Sequence, residues 1–223
     1  MRMLATFEKT ERLRHIGHLD IMRAMQRALR RSSLPVSYSK GFNPHILLTF
    51  ASALSVGAAG KCEIMETSLD EDVTPETFMA AMNEALPPEM QLTSARVIDD
   101  RRPASMAMAQ AASYDIRILD ESVAETLRET LSAFLGQKEI ITDRKTKSGV
   151  KPCDIRPLLL EVSMDGVHLH ALMTLTETLS CKPAMLMVAL SAFAGIETPR
   201  VMVTRERLYG KDDTGNLQPL EEL

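Results

Sequence analysis

The sequence predicts an α+β fold of two tandem halves, on three observations. Apolar residues recur in some stretches at every second position and in others at helical spacing, so strands and helices are interspersed. The order strand, helix, strand, loop, strand, strand, helix, strand reads once through residues 3–98 and again through 114–208. The two helix starts are 57 residues apart in the first half (18 to 75) and 60 in the second (122 to 182). This order fits two ferredoxin-like halves, βαββαβ with an extra strand, with helices on one sheet face. The expected divisions are 1–100 for the first half, 101–112 for a linker, 113–210 for the second half and 211–223 for a C-terminal tail. One continuous sheet has the same element order.

Met3 to Phe7 alternates as a strand. A helix follows from His18, with Ile21, Met22, Ala24, Met25, Ala28 and Leu29 on one face, and Leu34-Pro35 ends it. Val36–Ser39, Ile46–Ala51 and Cys62–Leu69 read as strands. Thr74-Pro75-Glu76 opens a second helix with a cap, a first-turn proline and an acid, and Gln91–Ile98 closes the half. In the second half Tyr114, Ile116 and Ile118 alternate, and Ser122 is the expected cap of a helix carrying Val123, Leu127, Leu131, Phe134 and Leu135. Glu139–Thr142 is a short strand before the loop DRKTKSGVKPCDIRP. Asp165-Gly166 joins two further strands, Lys182–Ala194 is a helix, and Arg200–Leu208 is the last strand.

The 223 residues are enough for one large domain or two small ones, each with its own core. The longest apolar run, Ala184 to Gly195, is about half of the ~20 residues a bilayer crossing needs. The start has no apolar signal core, so a cytoplasmic protein without membrane contact is expected. Cys62, Cys153 and Cys181 lie in no metal-ligand spacing, and neither a metal nor a cofactor is expected. The net charge of −4 argues against a wholly nucleic-acid-coated surface, but its distribution is uneven. Residues 1–45 hold nine Lys/Arg against three Asp/Glu, a net of +6, while residues 61–100 hold two against ten, a net of −8. A basic element on an acidic body is an electrostatic footprint.

That element is the outer face of the first helix, with Asp20, Arg23, Arg27, Arg30 and Arg31. Guanidinium forks suit phosphate oxygens, although charged outer faces are also the rule for surface helices. The helix leads into Tyr38-Ser39-Lys40-Gly41-Phe42-Asn43-Pro44-His45, where aromatics flank a cation. Rings stack on bases while a cation meets phosphate. The alternative places Tyr38 and Phe42 in the core. His18 and His45 are candidate acid and base for RNA cleavage, with Asp20 orienting an imidazole. His168 and His170 share one strand face without an evident third ligand. Arg144, Lys145, Lys147, Lys151 and Arg156 make a second basic loop at the place in the second half that SYSKGFNPH holds in the first.

The run GHLDIMRAMQRALRRSSLPVSYSKGFNPHILLTFASALSVG resembles the opening of a bacterial family of radical-SAM-associated proteins of unknown function. Its members stand alone or form the C-terminal part of a cobalamin-binding radical SAM protein. The resemblance extends through Gly57 to Glu63 and, more loosely, Lys151 to Pro157. It marks His18, Asp20, Arg23, Arg27, Tyr38, Ser39, Gly41, Phe42, Asn43, Pro44, Glu63, Asp154 and Arg156. Gly17 departs from it, a serine being usual there. The resemblance implies a radical SAM enzyme as a separate partner chain. The expected function is therefore an accessory protein that binds RNA or another polyanion and presents it to that enzyme, without catalysis of its own. The alternatives are an RNA-processing or RNA-modifying enzyme using His18 and His45, and a protein–protein adaptor without nucleic acid.

Overall fold

The computed structural model describes residues 1–146 and 149–223, the side chains of 145 and 146 excepted. In chain order the elements begin with β1 (Arg2–Lys9), α1 (His18–Arg31), β2 (Leu48–Phe50), β3 (Ala58–Ser68), α2 (Pro75–Ala85), β4 (Leu92–Ile98) and α3 (Ser105–Met108). There follow β5 (Ala111–Ile118), α4 (Glu121–Leu135), β6 (Ile141–Thr146), β7 (Gly149–Asp154), β8 (Leu159–Asp165), β9 (His168–Thr174), α5 (Pro183–Phe193), β10 (Val201–Lys211) and β11 (Leu217–Pro219). The fold is mixed α+β with antiparallel pairing. It divides into two compact units, Met1–Gln110 with Arg205–Leu223, and Ala111–Thr204.

In the first unit β1 lies between β4 and β3, and β3 also pairs with β2 and neighbours β10. Alternation along β1 turns Met3, Ala5 and Phe7 toward α1 and α2, where Ile21, Met25, Leu29, Phe78 and Met82 complete the core. Each of these side chains other than Ala5 contributes roughly 1.5–3 kcal/mol on burial. Leu4, Thr6, Ile64 and Glu66 occupy the opposite face, since paired residues of antiparallel strands share a face. The helices start as their sequences dictate. Thr74 accepts the Thr77 N–H at 3.2 Å, and Pro75 stands at the first helical position, where its missing N–H costs nothing. Gly17 gives α1 no side-chain cap.

Val36–Ser39 does not form the expected strand. Val36 and Tyr38 make isolated bridges to Leu69 and Ile46, so this segment is one arm of a hairpin with residues 45–47. Its rungs are Ser39 N–H to the His45 carbonyl, 2.8 Å, and Leu47 N–H to the Ser37 carbonyl, 3.0 Å. The segment expected as a linker contains α3, and the one expected as a tail contains β11, which pairs with β10 and brings Leu220 into the core.

In the second unit β9 lies between β5 and β8, with Val201–Thr204 of β10 beside β5. Gly166, at φ +55°, makes the expected turn between β8 and β9. The cap of α4 is Asp120 rather than Ser122. One Asp120 oxygen accepts from the N–H groups of Ser122 (2.9 Å) and Val123 (3.3 Å), and the Ser122 hydroxyl donates to it as well. The expected loop 144–156 is largely a two-stranded ribbon, β6 against β7, in register Arg144↔Lys151 and Thr142↔Cys153. An exposed ribbon needs ladder hydrogen bonds more than apolar residues, which is why its charged sequence hid it.

Candidate functional site

The outer face of α1 exposes Arg23, Arg27, Arg30 and Arg31, opposite the buried Ile21, Met25, Ala28 and Leu29. The four guanidiniums are not equivalent. Arg23 pairs with Asp20 at 3.0 Å, and Arg31 donates at 2.6 Å to the carbonyl of Ala85, one of the acceptors that the end of α2 leaves open. Arg27 and Arg30 have neither ion pair nor hydrogen bond among the described residues, so these two are the cations available to an anion.

The hairpin that follows holds Lys40, Gly41, Phe42, Asn43 and Pro44 at its exposed tip. Gly41 sits at φ +134°, a backbone conformation reserved for glycine. Phe42 is fully exposed, at 111%, and Tyr38 is 46% exposed. Neither ring is among the buried core residues, and at Phe42 full exposure removes the packing explanation. Below the tip the arms are tied by Ser39 and His45. The Ser39 hydroxyl lies 2.8 Å from His45 Nδ1 and accepts the His45 backbone N–H at 3.1 Å.

The two candidate catalytic histidines are not brought together. His18 lines a narrow cleft with Phe7, Lys9, Phe50, Ser52 and Glu63, and its ring meets Phe50 edge-on at 5.3 Å. Burial lowers its pKa. His45 lines a different cleft, beside Arg2, Thr49 and Glu66. Asp20 is engaged by Arg23 and makes no hydrogen bond to His18, so Asp20 does not orient that imidazole. The acid–base pair drawn from sequence therefore lacks its geometry.

Glu63, marked by resemblance, is a buried anchor. Its carboxylate takes a two-pronged bond from Arg205, at 2.8 Å from Nε and a shorter contact from Nη2. Arg205 also donates to the Ser52 hydroxyl and carbonyl, at 3.2 and 3.1 Å. Gly60 makes room for this carboxylate, because a Cβ there would lie 2.6 Å from Glu63 Oε1. Lys9, 2% exposed, donates to the carbonyls of Ala58 (2.9 Å) and Arg14 (3.3 Å). Burial lowers its pKa, Glu63 opposes that shift, and Arg205 adds to it.

Three residues along β3, Glu66 points to the other sheet face. It accepts from Arg2 at 2.7 Å, Arg102 at 3.1 Å, the Ser105 N–H at 2.8 Å and, more closely, the Ser105 hydroxyl. Burial raises its pKa, but the bonds from Ser105 and Arg2 prevail and hold it below the usual carboxylate value.

Other candidates resolve into structural parts. Asp154 accepts the N–H groups of Ile140 and Arg156, at 2.8 and 2.9 Å, closing the base of the ribbon. Arg156 donates through Nε to the Leu135 carbonyl at 2.9 Å, satisfying the end of α4. Lys151 is exposed on β7. Lys147 lies outside the described residues, as does the side chain of Lys145.

Sequence reasoning missed Arg205, Lys9 and Asp115. Arg205 is legible only as one charge at an inward position of an apolar strand, and its partner is 142 residues away. Asp115 stands opposite His170 on the neighbouring strand and bonds His168 Nδ1 at 2.9 Å, while the two imidazoles stack with centroids 6.2 Å apart. No group of three or more His, Cys, Asp or Glu suited to a metal ion occurs among the described residues. Burial raises the thiols of Cys62 and Cys181 to about 12, and Glu221 adds to the shift at Cys62. No helix among the described residues is long and apolar enough to cross a membrane.

Residues 2–186 match the family described as "Uncharacterized protein conserved in bacteria (DUF2344)", and the chain belongs to that family. No curated protein matches it.

Proposed function

We propose that this member of the DUF2344 family is a noncatalytic binding protein for RNA, which it presents to a radical SAM enzyme on a separate chain. The observation that carries the reading is Phe42, wholly exposed at a hairpin tip beside Lys40. Folding gains nothing from that ring, whereas a base gains a stacking surface and its phosphate a cation. Arg27 and Arg30, exposed and unengaged, supply further phosphate contacts. Lys151 on the β6–β7 ribbon is a secondary contact in the same reading. The separation of His18 and His45 favours binding over acid–base cleavage.

The finer fold belongs to the same proposal. In chain order the first unit runs β1, α1, β2, β3, α2, β4, with strands arranged β4-β1-β3-β2; the second runs β5, α4, β8, β9, α5, β10, arranged β10-β5-β9-β8. Both patterns support two ferredoxin-like sandwiches, the second with the β6–β7 ribbon inserted. Three free thiols support a reducing, cytoplasmic setting. The radical SAM partner rests on the sequence resemblance alone.

The test is ultraviolet crosslinking in cells followed by sequencing of the attached RNA, with a parallel affinity capture. The reading predicts RNA joined at Phe42 or Tyr38 and co-capture of a radical SAM enzyme. Capture of that enzyme with no crosslinked RNA contradicts the RNA role and leaves a protein adaptor.

A further inference from the structure

The first unit has a second feature on the sheet face away from α1 and α2. A cleft of about 310 Å³ is lined by Arg2, His45, Leu47, Thr49, Glu66 and Ser68, with Ala104 as one wall. Its size is that of a small-molecule site. The run His45 to Thr49 forms one side of it, and Thr49 stands opposite Glu66 in the β2–β3 pairing.

The chemistry of the lining narrows the ligand. Glu66 in the floor pairs with two guanidiniums, Arg2 and Arg102, and accepts from Ser105 as well. The Arg2 donors that Glu66 does not take go to the carbonyls of Asp99, Asp100 and Arg102. Three polar groups remain without a hydrogen-bond partner among the described residues: His45 Nε2, the Thr49 hydroxyl and the Ser68 hydroxyl. The Ser39 hydroxyl holds His45 Nδ1 at 2.8 Å, which leaves Nε2 as the ring nitrogen open to a ligand, donor or acceptor by tautomer. The cleft thus offers one imidazole nitrogen, two hydroxyls that donate or accept, and an apolar wall in Leu47, 39% exposed. This set suits a planar, hydrogen-bonding heterocycle.

His45 is also the residue through which the cleft joins the hairpin, whose tip carries Phe42 and Lys40. We infer that the cleft takes one unstacked nucleobase of the single strand held by that hairpin, so the protein reads base identity at one position. Single-stranded RNA is commonly read in this way, by bases splayed from the stack into a pocket. The inference rests on the RNA-binding reading above.

The experiment titrates the four ribonucleosides into isotopically labelled full-length protein and follows backbone amide resonances. In parallel, homopolymeric RNA and heparin, a polyanion without bases, are bound to wild type, Leu47→Trp and Thr49→Val. The expected result is saturable shifts at His45, Thr49 and Ser68 with one nucleoside favoured. Leu47→Trp, which fills the cleft, should cut the preference among homopolymers by roughly tenfold and leave heparin binding unchanged. Should Leu47→Trp lose its dispersed spectrum, Thr49→Val, which removes only a hydroxyl, carries the same test. RNA binding with no nucleoside shifts, and with base preference unchanged in both variants, overturns the pocket and leaves the surface reading standing. Nucleoside shifts at these residues without RNA binding at low salt uphold the pocket and overturn the surface reading.

Discussion

Arg205→Met is predicted to destabilise the first unit by about 3–5 kcal/mol, the range for breaking a buried ion pair by removing one partner. The magnitude follows from what the substitution strands. Both side chains are almost fully buried, Arg205 at 1% and Glu63 at 4% exposure. Methionine fills much of the arginine stem's volume, so the loss is electrostatic more than a cavity. It removes two charge-assisted bonds to Glu63 and two bonds to Ser52, and leaves a carboxylate facing Phe7 and Phe50 with Lys9 as the nearest remaining cation. Glu63→Leu alone should cost a similar amount by stranding Arg205. The double variant Glu63→Leu/Arg205→Met should cost much less than the sum of the two, because an apolar pair replaces an ionic one. Urea denaturation of all four proteins, followed by circular dichroism, measures the cycle. Single-variant losses below about 1 kcal/mol, or additive losses in the double variant, refute the account of Glu63 as half of a buried pair.

Gly60→Ala should destabilise the same site, since its Cβ would fall 2.6 Å from Glu63 Oε1; in a Glu63→Ala background the same substitution should add little further cost in the same denaturation assay. His18 has its pKa lowered by burial, so the unfolded chain takes up this proton more readily than the folded one. Its contribution to stability is therefore complete above the unfolded value of about 6.5 and declines as pH falls below it. His18→Phe should flatten that part of the stability–pH curve, and an unchanged slope would contradict the burial. Cys62 and Cys181, with thiols at about 12, should react with a disulfide reagent at pH 8 far more slowly in the folded protein than in urea, as timed thiol release shows.

Much of the frame is legible from local chemistry. The apolar stripe of α1, the Thr74-Pro75 start of α2 and the Asp165-Gly166 turn each rest on neighbouring residues, and the structure reproduces them. The rest depends on distant partners. The Arg205–Glu63 pair spans 142 residues, and Asp115 reaches His168 only through the register of β5 with β9. Local competition misled as well. Asp120 and Ser122 are both good caps, and the carboxylate, accepting two N–H groups, prevails. The histidines near the chain start read as a group because sequence shows proximity along the chain but not which sheet face a side chain occupies. His18 and His45 line separate clefts for that reason.

The claim that α1 and the 37–47 hairpin form an RNA-binding surface is tested most directly by fluorescence anisotropy of a labelled single-stranded RNA across a salt series. The account predicts binding that weakens steeply with salt. Arg27→Ala and Arg30→Ala should each reduce the salt slope by about 1, and Phe42→Ala should cost about 1–3 kcal/mol with little change in slope. No binding at low salt, or affinity and slope unchanged in all three variants, would contradict it.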